Sequence, residues 1–159
     1  MSEEASPPTR GFELGTDGPI AIVVGVDGTP TSLDALAYAV GLARREHSKL
    51  IAVYVRTLTR GALTLADPAQ VAVEATVEAQ DDVEADLRRR LQAITSTLPV
   101  RARLVVGTGD PLTVLSDVAE QVRADAVIVG ASTSVAHRIA GSLAVRLVRS
   151  RRWPVTIVP

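Results

Sequence analysis

Residues 20–30 read IAIVVGVDGTP. The first seven are apolar or glycine, mostly β-branched, and carry no charge. Such a run is the pattern of a strand buried on both faces, as strands of parallel sheets are. Asp27-Gly28-Thr29-Pro30 then reads as a turn. Thr31 offers a hydroxyl at a helix start, with the Asp34 carboxylate three residues on, the arrangement of a capping box. Leu33, Leu36, Ala37, Val40 and Ala43 follow at helical spacing, which predicts a helix to about Glu46. Residues 49–56 (KLIAVYVR) are again strand-like. Strand, helix and strand in this order make a βαβ unit with parallel strands.

The same alternation continues. Residues 58–79 are ambiguous, because Val71, Val73, Ala75 and Val77 alternate as a strand would. Val83, Leu87, Leu91, Ile94 and Leu98 fall instead at steps of three and four. The expectation is a mobile segment to about Ala69 and a long helix to about Thr97. Glu and Asp precede Arg88, Arg89 and Arg90 along it, the order the helix dipole favours. A third strand spans 100–106. Asp110-Pro111 starts the next helix, with Asp as cap and Pro at the first helical position, where its missing N–H costs nothing. Residues 125–129 (DAVIV) form a fourth strand, 143–148 belong to a last helix that Ser142 can cap, and 153–158 form a terminal strand. The fold class is α/β: an open, parallel, five-stranded sheet with helices on both faces. Ligands of such sheets bind beyond the carboxyl ends of the strands, where strand order reverses. That directs attention to residues 27–32, 55 onward, 107–110 and 130–142.

Composition narrows the function. The chain has 159 residues, 47% hydrophobic and 22% charged, with a formal net charge of -1. Near-neutrality gives no electrostatic case for nucleic acid or an anionic membrane. There is no Cys, which excludes disulfides, thiolate catalysis and Cys-based zinc sites. Residues 1–18 are rich in Ser, Pro, Gly, Glu and Thr and read as a disordered tail without signal-peptide features. The domain is then 19–159, cytoplasmic, with no stretch apolar enough to span a membrane.

Few residues offer chemistry. Gly130 directly follows a buried strand, where a ligand can approach the backbone. Gly141-Ser142 at a helix start suits a phosphate; a plain turn and a capped helix would look the same. His137, Arg138, Arg146, Arg149, Arg151 and Arg152 form the one basic region, and most of it is accounted for by the C-terminus of a helix. Asp27 ends the first strand, where a dinucleotide fold carries G-x-G-x-x-G. It suits a base or a metal–phosphate, or serves as a turn residue. No P-loop, nucleophile elbow or paired carboxylate is legible, so no catalytic residue is assigned.

Four segments in order carry a resemblance: VDGTPTS at 26–32, GTGDP at 107–111, ADAVIVG at 124–130 leading to Gly141-Ser142, and WPVTIV at 153–158. Together they resemble the universal stress protein family, over about residues 20–159. The resemblance implies a Rossmann-like domain that is a non-enzymatic stress-response protein, with a cleft for ATP or another adenine nucleotide. It implies adenosine contacts at Asp27 and Val55, with Val26 and Gly28 beside Asp27 as further binding-site residues. The family's phosphate loop, G-x2-G-x9-G-[ST], matches Gly130 and Gly141-Ser142, followed by Leu143. Thr133 stands at the second glycine, and seven residues rather than nine separate it from Gly141. A β-branched residue resists positive φ, and a shorter loop takes another path. The alternative is therefore a dimeric interaction module of the same fold that binds no nucleotide. Dimerisation through residues 154–158 is implied in either case, as a homodimer.

Overall fold

The computed structural model describes residues 19–57, 68–132 and 143–159, with side chains of the helix beginning at Pro68 described from residue 76. The elements alternate: β1 (Ala21–Val26), α1 (Pro30–Glu46), β2 (Lys49–Arg56), α2 (Pro68–Thr97), β3 (Arg101–Thr108), α3 (Pro111–Gln121), β4 (Ala126–Gly130), α4 (Leu143–Ser150) and β5 (Val155–Val158). All strand pairs are parallel, in the order β3-β2-β1-β4-β5. The α/β sheet expected from the sequence is present.

Period-two alternation divides the core. Ile22, Val24 and Val26 of β1 point with Leu50, Ala52 and Tyr54 into one layer, closed by Leu36 and Val40 of α1 and Leu87 and Leu91 of α2. Ala21 and Val23 point with Ile51 and Val53 into the other, closed by Leu115 and Val118 of α3 and Leu147 of α4. Burying β-branched strands on both faces is what a parallel sheet requires. The ambiguous stretch at 71–77 is helical, because α2 begins at Pro68 and runs unbroken to Thr97. The segment expected to be mobile lies mostly outside the described residues, as does the 1–18 tail.

One local expectation is corrected. The cap of α1 is Thr29, not Thr31. Pro30 explains the shift: its fixed φ and missing N–H fit the first helical position, which makes the preceding residue the cap. The Asp110-Pro111 start of α3 stands as read, with Asp110 capping through Thr113 N–H. In α4, Ala144 and Leu147 face the core, while Val148 is exposed. Among the described residues, no helix is long and apolar enough to cross a membrane.

Candidate functional site

The chain steps outward from β1 to β2 and β3, then returns to place β4 on the other side of β1. Strand order therefore reverses between β1 and β4. The helix after β1, α1, packs on one face and the helix after β4, α4, on the other, so a crevice opens between the two strand ends. A cavity of about 480 Å³ lies there. That volume suits a small molecule of nucleotide size. Its apolar walls include Val53, Val55, Leu115, Val129 and Leu143, with no aromatic ring among the described residues.

The loop after β1 supplies the polar wall. Asp27 Oδ1 accepts from Thr29 N–H at 3.0 Å and from the Thr29 hydroxyl at 2.6 Å, an Asx turn that fixes the carboxylate. Asp27 Oδ2 takes no partner among the described residues. Ser32 Oγ donates to the Thr29 carbonyl at 2.9 Å and accepts Asp27 N–H at 3.2 Å. The strand end and the helix start are thereby locked into one rigid corner, with Thr29, Thr31 and Ser32 lining the cavity.

Gly130 forms the opposite lip. A Cβ there would lie 2.5 Å from the carbonyl carbon and oxygen of Thr31. The chain's own backbone thus requires glycine at this position, whatever occupies the crevice. Gly130 pairs with Val158 of β5, and Ala131 N–H donates to the Val158 carbonyl at 2.6 Å.

A charged latch crosses the mouth from α3 to α4. Arg146 Nη1 and Nη2 donate to Asp110 Oδ1 and Oδ2 at 2.9 and 3.1 Å, a bidentate pair. Asp110 Oδ2 also accepts from the backbone and hydroxyl of Thr113, both at 3.0 Å. Arg146 first, and then the Thr113 amide, hold the Asp110 carboxyl down to about 2. Farther along, Arg152 pairs with Glu120 and lies 4.6 Å over the Trp153 ring. The basic stretch read from sequence is thus partly answered by acids on α3.

Val26, Asp27, Val55, Gly130 and Leu143 all line this cavity. Gly28 does not: its backbone is left-handed, φ 82°, and its Cα faces Val83 of α2. Thr133, Gly141 and Ser142 lie outside the described residues. Sequence reasoning gave Arg146 no site role, although it lines the cavity. Its partner is 36 positions away, so only the topology joins them. A second hollow, of about 740 Å³, lies at the opposite edge of the sheet beside Lys49, Arg101 and Arg103. No cluster of His, Asp or Glu suited to a metal ion occurs among the described residues.

A doubly wound α/β domain with its cleft at the reversal of strand order is the class this geometry defines. The family model of the universal stress protein family matches residues 21–159, and the chain belongs to that family. It is similar to the universal stress protein UspA of Lactobacillus plantarum, 27% identical, with 87% of this chain and 97% of that one covered and a TM-score of 0.67. A universal stress protein solved in complex with cAMP shares the fold at 23% identity and a TM-score of 0.58, over 88% of this chain and 96% of that one. A universal stress protein of Methanocaldococcus jannaschii is 23% identical over 86% of this chain and 80% of its own length.

Proposed function

We propose that this chain is a non-enzymatic stress-response protein that binds an adenine nucleoside or nucleotide in the cleft between β1 and β4. The observation that carries the reading is the convergence of Val26, Asp27, Val55, Gly130 and Leu143 on one cavity of about 480 Å³. Asp27 has a fixed carboxylate with one oxygen left to accept from an adenine amino group or a ribose hydroxyl. Aliphatic side chains, Val53 and Val55 among them, give a flat base an apolar wall. The related protein solved with cAMP has the same fold, which supports this ligand class here.

Binding rather than catalysis fits the charges of the cleft. Its described lining residues include one carboxylate, Asp27, engaged in a turn, and one guanidinium, Arg146, held by Asp110. Isothermal titration with AMP, cAMP and ATP tests the reading. Saturable heat that disappears in Asp27→Ala is expected. No heat and no thermal shift with any of the three would leave the interaction-module reading in its place.

Independently of the ligand, we propose that the protein is a cytoplasmic homodimer. β5 is an edge strand with Ile157 46% exposed, and an apolar edge of this kind is completed by a partner strand. Light scattering at micromolar concentration is expected to give twice the chain mass, and a monomeric mass would refute it.

A further inference from the structure

The mouth of the cleft contains a conflict of charge. Arg146 is the one cation among the described lining residues. Its guanidinium fork, the geometry that would grip a phosphate, is already filled by both oxygens of Asp110. Asp110 cannot readily follow Arg146 toward a ligand. Its carboxylate caps α3 and is tied to the amide and hydroxyl of Thr113. Both members of the pair are 43% exposed, so the latch sits at the solvent side of the cavity, where the far end of a bound nucleotide would emerge.

We propose that Asp110 sets which phosphate esters the cleft accepts: by occupying Arg146 it favours adenosine and adenosine bearing one phosphate over ATP. The proposal rests on the adenine-nucleotide reading of the cleft. A triphosphate that reaches for Arg146 meets the Asp110 carboxylate beside it, and this guanidinium, the one among the described lining residues, is already neutralised. To win that guanidinium it must displace a chelating carboxylate, which then remains nearby as a like charge. A nucleoside has no charge and meets neither obstacle. Asp110 is held ionised far below neutrality, so the obstacle is present throughout the physiological range.

Titration of the full chain and of Asp110→Asn with adenosine, AMP and ATP tests this. Asn caps a helix as well as Asp does, so the start of α3 is retained. The ratio of ATP affinity to adenosine affinity is expected to rise about tenfold in Asp110→Asn, the scale of removing one like charge beside a polyphosphate. In the double variant Asp110→Asn, Arg146→Gln the gain is expected to vanish, because the freed guanidinium is what the phosphate uses. An unchanged ratio with adenosine still bound would overturn the role of Asp110 and leave the nucleotide site standing. No heat from adenosine with either protein would overturn the nucleotide reading, and this proposal with it. Should Asp110→Asn fail to fold by circular dichroism, Asp110→Ser, also a good cap, serves for the same comparison.

Discussion

Replacing Gly130 with alanine drives a methyl group into main chain. The new Cβ would stand 2.5 Å from the carbonyl carbon and oxygen of Thr31 and 2.8 Å from the amide nitrogen of Ser32. Carbon contacts settle near about 3.5 Å, so the lip and the helix start must separate by about 1 Å. Neither side yields easily. β4 is hydrogen-bonded to β1 on one flank and β5 on the other. The first turn of α1 is tied back to Asp27 through Ser32 and Thr29. Overpacking costs about 1–3 kcal/mol, and the upper end applies because the obstacle is backbone rather than a rotatable side chain. For a chain of this size that lowers Tm by about 10 °C. Gly41 is the contrasting case. It lies within α1, and a Cβ there meets only the flexible end of Arg45 at 3.4 Å. Gly41→Ala is expected to stabilise by about 0.5–1 kcal/mol through helix propensity. Thermal melts followed by far-UV circular dichroism read both. A Gly130→Ala Tm within about 2 °C of the parent would refute the steric argument.

Two further outcomes follow from side chains that hold the frame. Asp125 Oδ2 accepts the backbone N–H groups of Ile20 and Ala21 at 2.7 and 2.9 Å, tying the start of β1 to β4; Asp125→Ala is expected to cost about 1–3 kcal/mol in urea unfolding, and an unmoved midpoint would contradict it. The folded pKa of Asp110, about 2, lies below its unfolded value, so the Asp110–Arg146 pair contributes stability above about pH 4 that is lost as pH falls toward 2. Exposure limits that contribution to below about 1 kcal/mol; the stability gap between the parent and Arg146→Gln is expected to close over this interval, and a constant gap would show that the pair contributes nothing.

Residues 20–56 made the βαβ frame legible because uninterrupted β-branched runs and a three-and-four spacing are local signals. Asp110-Pro111 was equally legible, since cap and first-turn proline are adjacent. The cap at Thr29 was misplaced by two residues because Thr31 and Asp34 mimic a capping box. Pro30 was the better signal: its ring geometry decides the boundary before any side-chain hydrogen bond does. Val26, Asp27, Val55 and Gly130 could be placed near one edge, because strand ends of a parallel sheet share an edge by topology. Gly28 could not be separated from them, because its left-handed φ turns it away toward Val83. The Arg146 contact was hidden by distance in sequence. Gly130 was read as an opening for a ligand, and the backbone of α1 gives it a second, structural reason to be glycine.

The most direct test of the cleft follows backbone amide resonances while AMP is added to the isotope-labelled chain. Saturable shifts are expected at Val26, Asp27, Val55 and Gly130, the strand ends around the cavity between β1 and β4. Resonances that stay in place there, or shifts confined to Lys49, Arg101 and Arg103 at the opposite edge of the sheet, would contradict the proposal that this crevice binds an adenine nucleotide.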